Sequence, residues 1–140
     1  MKRDSTAYGA VRPAYDKNDC SVRAIMIAAG CTYEHASAMF SVAGRRLLKG
    51  TPSEVTQCVH EKYLGMERIT DVKGWPIAAF LAAHPHGSYV LHRSGHAFAI
   101  IEGVLHDWER GTGPRSTILA AWKATEVTKA KIAATKELFE

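Results

Sequence analysis

The feature that most constrains the fold is a change of sequence pattern at Gly87. Before it, apolar residues recur at helical spacing; after it, β-branched and aromatic residues dominate. Strands are predicted at 88–92, 95–101 and 104–108, joined by turns short enough to make them antiparallel. Helices followed by strands is the order of an α+β fold, so we expect N-terminal helices packed on a C-terminal antiparallel sheet.

Helices are predicted wherever apolar residues return every three or four positions. Gly30 and Gly44 mark the ends of the first two helices, and Thr32 is placed to cap the start of the second. Thr51 and Glu54 have the spacing of a capping box at the start of the third. The predicted helical ranges are 20–29, 32–42, 51–63, 77–83 and 127–139.

Two further segments carry weaker signals. Residues 66–70 form a short strand candidate, and residues 118–124 fit either a fourth strand or a short helix, which the pattern leaves open. The chain has 140 residues and nothing in it looks like a linker or an internal repeat. We therefore predict a single domain spanning 1–140.

Composition argues against several classes of protein. No stretch approaches the roughly 20 apolar residues of a membrane span, and no apolar signal region follows Lys2 and Arg3. The 3 cysteines lack CxxC spacing, which favours a reducing, cytoplasmic setting over a disulfide framework. The net charge is +4, but the 18 basic residues are scattered, which argues against a nucleic-acid partner.

Cys20 is the candidate nucleophile. A thiol reacts as its thiolate, and the unpaired N–H groups and dipole at a helix start stabilise that anion. Cys20 opens the first predicted helix, whereas Cys31 follows the Gly30 stop and Cys58 lies inside an apolar helical face. A single cysteine is more often a small buried apolar residue, so it is the position of Cys20 that sets it apart.

His96 and Asp107 are the candidate base and orienting group for that thiol. A two-residue turn at 102–103 would pair the flanking strands so that His96 and Asp107 become diagonal neighbours on one face of the sheet. A histidine and an aspartate can bridge that separation. A bulged, three-residue loop would shift the pairing by one and make Glu109 the candidate orienting group instead.

Four short segments together carry a family resemblance: NDCSVRA at 18–24, YEHA at 33–36, SGHA at 94–97 and EGVLHD at 102–107. They resemble the small papain-like cysteine peptidases of tailed phages and bacteria, and more distantly the bacteriocin-processing peptidases. The resemblance covers about 17–108. It implies a papain-like fold with Cys20, His96 and Asp107 as nucleophile, base and orienting group. It also implies hydrolysis of a peptide or isopeptide bond in a protein or peptide substrate, without a cofactor.

One departure from that family concerns the oxyanion hole. Papain-like enzymes usually place a glutamine several residues before the cysteine, and the only glutamine here is Gln57. Asn18 could donate its amide in that role, or it could cap the helix. The missing glutamine motivates an alternative, a catalytically weak or inactive papain-like module that captures a host protein. An acyltransferase or amidase acting on a small molecule would use the same residues.

Four other histidines raise the question of a metal. His84 and His86 lie on a Pro-containing loop, while His92 and His106 face away from His96 in the predicted register. This scatter does not bring ligands together at one point, so we predict no metal site.

Overall fold

The computed structural model describes residues 1–4, 18–107 and 111–139. Within these ranges the chain forms five α-helices and a six-stranded mixed sheet. The helices are α1 (Cys20–Ala29), α2 (Tyr33–Ala43), α3 (Ser53–Gln57, continued by a π-helical turn, Cys58–Tyr63), α4 (Ile77–Ala83) and α5 (Glu126–Phe139). The strands are β1 (Lys2–Asp4), β2 (Glu67–Ile69), β3 (Ser88–Arg93), β4 (His96–Ile101), β5 (Val104–His106) and β6 (Ala120–Lys123), in the order β1-β5-β4-β3-β6-β2 across the sheet.

The ends of the first two helices follow the predicted signals. Gly30 adopts a left-handed conformation, with φ of 74°, and its N–H bonds to the Met26 carbonyl. The Thr32 side chain accepts a hydrogen bond from the His35 N–H at 3.0 Å. A glycine tolerates this conformation because it has no Cβ, and a threonine oxygen satisfies an N–H left unpaired in the first turn. Both predictions are confirmed.

The start of α3 differs from the prediction. The helix begins at Ser53, with Pro52 in the capping position and no side-chain cap. Thr51 therefore lies one residue outside the helix, too far away to form the expected capping box with Glu54. Pro52 suits the position because its φ of −60° leads directly into the helix.

The central strands pair as predicted. The β4–β5 hairpin has Ile101 opposite Val104 and Ala99 opposite His106, which is the register of a two-residue turn. The ambiguous segment 118–124 contains a strand, because β6 pairs antiparallel with the free side of β3 and places Leu91 opposite Ala121. That pairing satisfies backbone N–H and C=O groups of β3 that would have stayed unpaired if the segment had formed a short helix.

The expectation of a wholly antiparallel, C-terminal sheet is wrong at both edges. β1 runs parallel to β5, with Lys2 opposite Val104, and β2 comes from the helical half of the chain to pair with β6. The strand candidate at 66–70 is confirmed by β2, but its place at the sheet edge was not predicted. β1 has 3 residues, too few to produce a recognisable alternation in sequence.

Helices cover both faces of the sheet. On one face, α1 and α2 pack against Val90, Ala97 and Ala99; on the other, Phe98 and its neighbours pack against α4. α1 lies along β4, which brings its first residue to the end of that strand where His96 stands. In the described ranges, no helix combines the length and apolar character needed to cross a membrane.

Candidate active site

Cys20 is the first residue of α1 and is half-buried at the sheet. Burial alone raises the pKa of its thiol, but hydrogen bonds from the His96 side chain and the Ala97 backbone oppose this. The positive charge of His96 and a hydrogen bond from Ser21 act in the same direction, and the resulting pKa lies below the ordinary cysteine value. The surroundings of Cys20 therefore favour its thiolate more than those of an ordinary cysteine do.

His96 and Asp107 come together across the β4–β5 hairpin. His96 Nε2 lies 2.8 Å from Asp107 Oδ1, and the carboxylate is 0% exposed. Burial lowers the pKa of His96, but the hydrogen bonds with Asp107 and Cys20, together with their charges, raise it to about 9. Because Asp107 engages Nε2, Nδ1 is the ring nitrogen left for the thiol. Glu109, the alternative orienting group, lies outside the described residues.

The pKa shifts of Cys20 and His96 arise from one ion pair between these two side chains. The thiol of Cys20 becomes more acidic and the imidazole of His96 more basic, each stabilising the charged form of the other. Between the lowered thiol pKa and about 9, the favoured state is a thiolate beside an imidazolium. That state supplies a nucleophile and a proton donor in direct contact.

Asn18 lies beside this pair, in the wall of the same cleft. Its side-chain nitrogen donates to the Leu48 carbonyl at 2.9 Å, and its main-chain carbonyl accepts from the Arg45 guanidinium at 3.1 Å. Asp19, rather than Asn18, occupies the N-cap position of α1, and it makes no side-chain cap. The role of Asn18 as an oxyanion donor stays a prediction.

The cleft in front of Cys20 and His96 has a volume of about 650 Å³. This is large enough for several residues of a substrate chain. Most of its described lining is polar or basic, and Leu119 adds an exposed apolar side chain at its wall. Other lining residues include Thr51, Thr56, Gln57, Arg68, Arg93 and Trp122.

No protein-family model, curated protein or solved structure gives a significant match to this chain. What the site can do must therefore be read from its own residues.

A buried ion pair supports the start of α1, and sequence reasoning missed it. Arg23 Nε lies 3.0 Å from Asp19 Oδ1, and the Tyr33 hydroxyl donates to Asp19 Oδ2 at 2.8 Å. The Tyr33 hydroxyl ties the start of α1 to α2. The Arg23 guanidinium neutralises a carboxylate that directly precedes Cys20, where a free negative charge would oppose the thiolate. The i,i+4 spacing of Asp19 and Arg23 is visible in the sequence, but their burial is not.

Replacing Tyr33 with phenylalanine tests this support. Removing the hydroxyl leaves a buried carboxylate oxygen without that donor, and we expect unfolding free energy to fall by about 1–3 kcal/mol. Urea denaturation measures the change. Tyr63→Phe, which removes the same atom from a less buried tyrosine, serves as the control and should change stability far less. Equal effects of the two substitutions would contradict a special role for the Tyr33–Asp19 contact.

A cluster of aromatic rings lies beside the site, and two of them, His92 and Trp122, line the cleft. The His60 ring lies 4.5 Å from that of Trp122, and His92 lies 4.8 Å from the same indole. Burial lowers the pKa of His92 to about 4 and that of His60 well below its usual value. Both rings are therefore neutral at physiological pH. Sequence reasoning did not single out His60, whose helical position resembles that of any core residue.

The histidines considered as metal ligands lie apart from one another. His84 stacks on Phe80, with 4.5 Å between ring centres, and His86 Nδ1 lies 3.1 Å from a Glu102 oxygen. His92 is opposite Ala97 in the β3–β4 pair, and its ring packs against Trp122. Over the described ranges, no three His, Cys, Asp or Glu side chains are arranged to hold a metal ion.

Proposed function

We propose that this chain is a cysteine-dependent hydrolase of papain-like architecture that cleaves a peptide or isopeptide bond. The observation that carries the proposal is the hydrogen-bonded series from Cys20 through His96 to the buried Asp107, opening on a cleft. The segments that resemble small papain-like peptidases of phages and bacteria include all three residues. The expected substrate is a protein or peptide, and the expected location is the cytoplasm.

The first half-reaction forms a thioester. The Cys20 thiolate attacks the carbonyl carbon of the scissile bond, and the carbonyl electron pair moves onto oxygen. When the tetrahedral intermediate collapses, the carbon–nitrogen bond breaks and His96 gives its proton to the departing amine. The raised pKa of His96 means that this proton is present near neutral pH.

The second half-reaction restores the enzyme. His96, now neutral, takes a proton from water as the water oxygen attacks the thioester carbonyl. The carbon–sulfur bond then breaks, releasing the carboxylic acid product and the Cys20 thiolate. Throughout both steps Asp107 holds the imidazole in orientation and stabilises its charged form.

The oxyanion of each intermediate would form beside the first turn of α1. N–H groups in the first turn of a helix have no intrahelical acceptor, so the Cys20 N–H is a natural donor there. An amide N–H of Asn18 would be the second donor. Because its nitrogen already donates to Leu48, a second candidate function is a papain-like module with weak or no turnover that captures a protein.

Selective alkylation tests whether Cys20 is activated. At pH 6 a cysteine of ordinary pKa is only about 0.3% thiolate. We expect iodoacetamide to modify Cys20 at least about tenfold faster than Cys31 or Cys58, because its pKa is lowered. Rates are followed for each cysteine by mass spectrometry of the digested protein.

The His96→Ala variant should lose this selectivity, since it removes the imidazolium that stabilises the thiolate. His86→Ala is the matched control, because His86 is 87% exposed and pairs only with Glu102 in the described structure. Equal rates for the three cysteines in the unmodified protein would overturn the proposed nucleophile.

A further inference from the structure

The cleft has a marked charge asymmetry apart from the catalytic pair. Arg68 and Arg93 both line it, and none of its described lining residues is an aspartate or glutamate. The charged groups in the lining are the thiolate of Cys20, the imidazolium of His96 and the two guanidinium groups, whereas the carboxylate of Asp107 is buried and does not line the cleft. The described lining therefore carries net positive charge. A substrate group entering this cleft therefore meets a cationic surface.

Arg68 is held in place by an aromatic ring. In the β2–β6 pair it lies directly opposite Trp122, and its guanidinium carbon is 5.3 Å from the centre of the indole. Trp122 is only 2% exposed and is packed against the His60 and His92 rings, so it forms a rigid platform. Stacking on such a ring restrains a guanidinium while leaving its N–H groups at the edge available.

Within the part of the chain that the structure describes, Arg68 takes part in no ion pair. Glu67 precedes it in β2 but, by strand alternation, points to the opposite face, where it lines a separate hollow with Lys123. Glu61 accepts from the indole nitrogen of Trp122 at 3.4 Å and does not line the cleft.

The two arginines of the cleft differ in how far their guanidinium groups are already engaged by other residues. Arg93 lies opposite His96 in the β3–β4 pair and donates from Nε to Thr112 at 2.8 Å, so one edge of its guanidinium is already used. Arg68 is thus the better-placed cation for a ligand.

We propose that the cleft selects peptides bearing a carboxylate, which pairs with the guanidinium of Arg68 while that group stays stacked on Trp122. The planar, forked guanidinium matches the two oxygens of a carboxylate. This inference rests on the proposed hydrolase function and adds the substrate class. The carboxylate is that of an aspartate or glutamate side chain or of a chain terminus, which have the same recognition chemistry.

The test compares peptides that differ only in that group. One set carries Asp or Glu, or Asn or Gln, at successive positions in a constant peptide with an amidated C-terminus. A second set has neutral side chains and either a free or an amidated C-terminus, which separates the two sources of the carboxylate. Hydrolysis is measured as kcat and KM. Binding of the same peptides to Cys20→Ala protein, followed by fluorescence anisotropy, gives a readout that does not need turnover.

We expect a carboxylate-bearing peptide to be preferred by about tenfold, as for one charged hydrogen-bonded contact. Arg68→Gln should remove most of that preference, chiefly by raising KM, and high salt should weaken it. Arg46→Gln is the matched control, because Arg46 is exposed and does not line the cleft. The same preference in Arg68→Gln as in the unmodified protein, or no preference at all, would overturn the inference.

Failure of this inference is distinguishable from failure of the proposed function. Alkylation of Cys20 by iodoacetamide involves no peptide and should be unchanged in Arg68→Gln. Selective alkylation without a carboxylate preference would remove only the substrate class. Loss of selective alkylation would remove the proposed nucleophile, whatever the peptide preference.

Discussion

Replacing Cys20 with alanine should abolish peptide hydrolysis, with kcat/KM falling by about 10⁴-fold or more, as expected when the nucleophile of a covalent mechanism is removed. No other described cysteine shares the contact with His96 that activates this thiol. The measurement is hydrolysis of the best carboxylate-bearing peptide at pH 7.

Cys31→Ala is the control for that experiment. Cys31 is also half-buried, but it lies at the opposite end of α1 from Cys20. Its substitution should leave hydrolysis within about twofold of the unmodified protein, with any loss traceable to stability. Turnover that persists in Cys20→Ala would place the nucleophile elsewhere. Peptide binding without turnover in the unmodified protein would favour the module that captures a protein.

Replacing Asp107 with asparagine should shift the pH dependence of hydrolysis. Activity requires Cys20 deprotonated and His96 protonated, so it rises through the lowered thiol pKa and falls as His96 loses its proton near pH 9. An asparagine oxygen can still accept from Nε2 and orient the ring, but it removes the charge that favours the imidazolium. The pKa of His96 should then fall toward the ordinary histidine value of about 6.5.

The alkaline limb of kcat/KM is the diagnostic measurement. In Asp107→Asn it should move to lower pH, so that the loss of activity is at least about tenfold greater at pH 8.5 than at pH 6. Asp107→Ala, which also loses orientation, should be impaired at every pH. Asp71→Asn, at an exposed carboxylate outside the cleft, is the matched control. An alkaline limb unchanged in Asp107→Asn would show that the carboxylate does not set the charge state of His96.

The parts of the site that follow from sequence are those decided by neighbours along the chain. A two-residue turn sets the register of the hairpin on its own, and from that register the closeness of His96 and Asp107 follows. The helical period and the Gly30 stop likewise define α1 with Cys20 at its start. These features depend on the backbone conformation of a few consecutive residues. The types of those residues determine that conformation directly, so the sequence predicts it.

Other features required the packed molecule. β1 is too short to show a pattern, and the sequence indicated β2 as a strand without indicating its partner. Each joins the sheet because an edge strand elsewhere offers unpaired backbone groups. The capping box expected at Thr51 failed for a related reason, since Pro52 offered a competing helix start. The i,i+4 spacing of Asp19 and Arg23 is compatible with an ion pair. The pair is buried, however, only because α2 packs against it.

Sequence by itself determined the helices, the central hairpin and the pairing of the histidine with its carboxylate. The tertiary structure alone decided that α1 lies along β4 with its first residue at His96, and that Arg68 stacks on Trp122 in the lining of the cleft. The physical reason is that apolar burial, which drives these long-range contacts, depends on area and not on direction. Apolar burial requires that apolar surfaces come together, but it does not specify which surface contacts which. Those partners are determined only when all the helices and strands pack together.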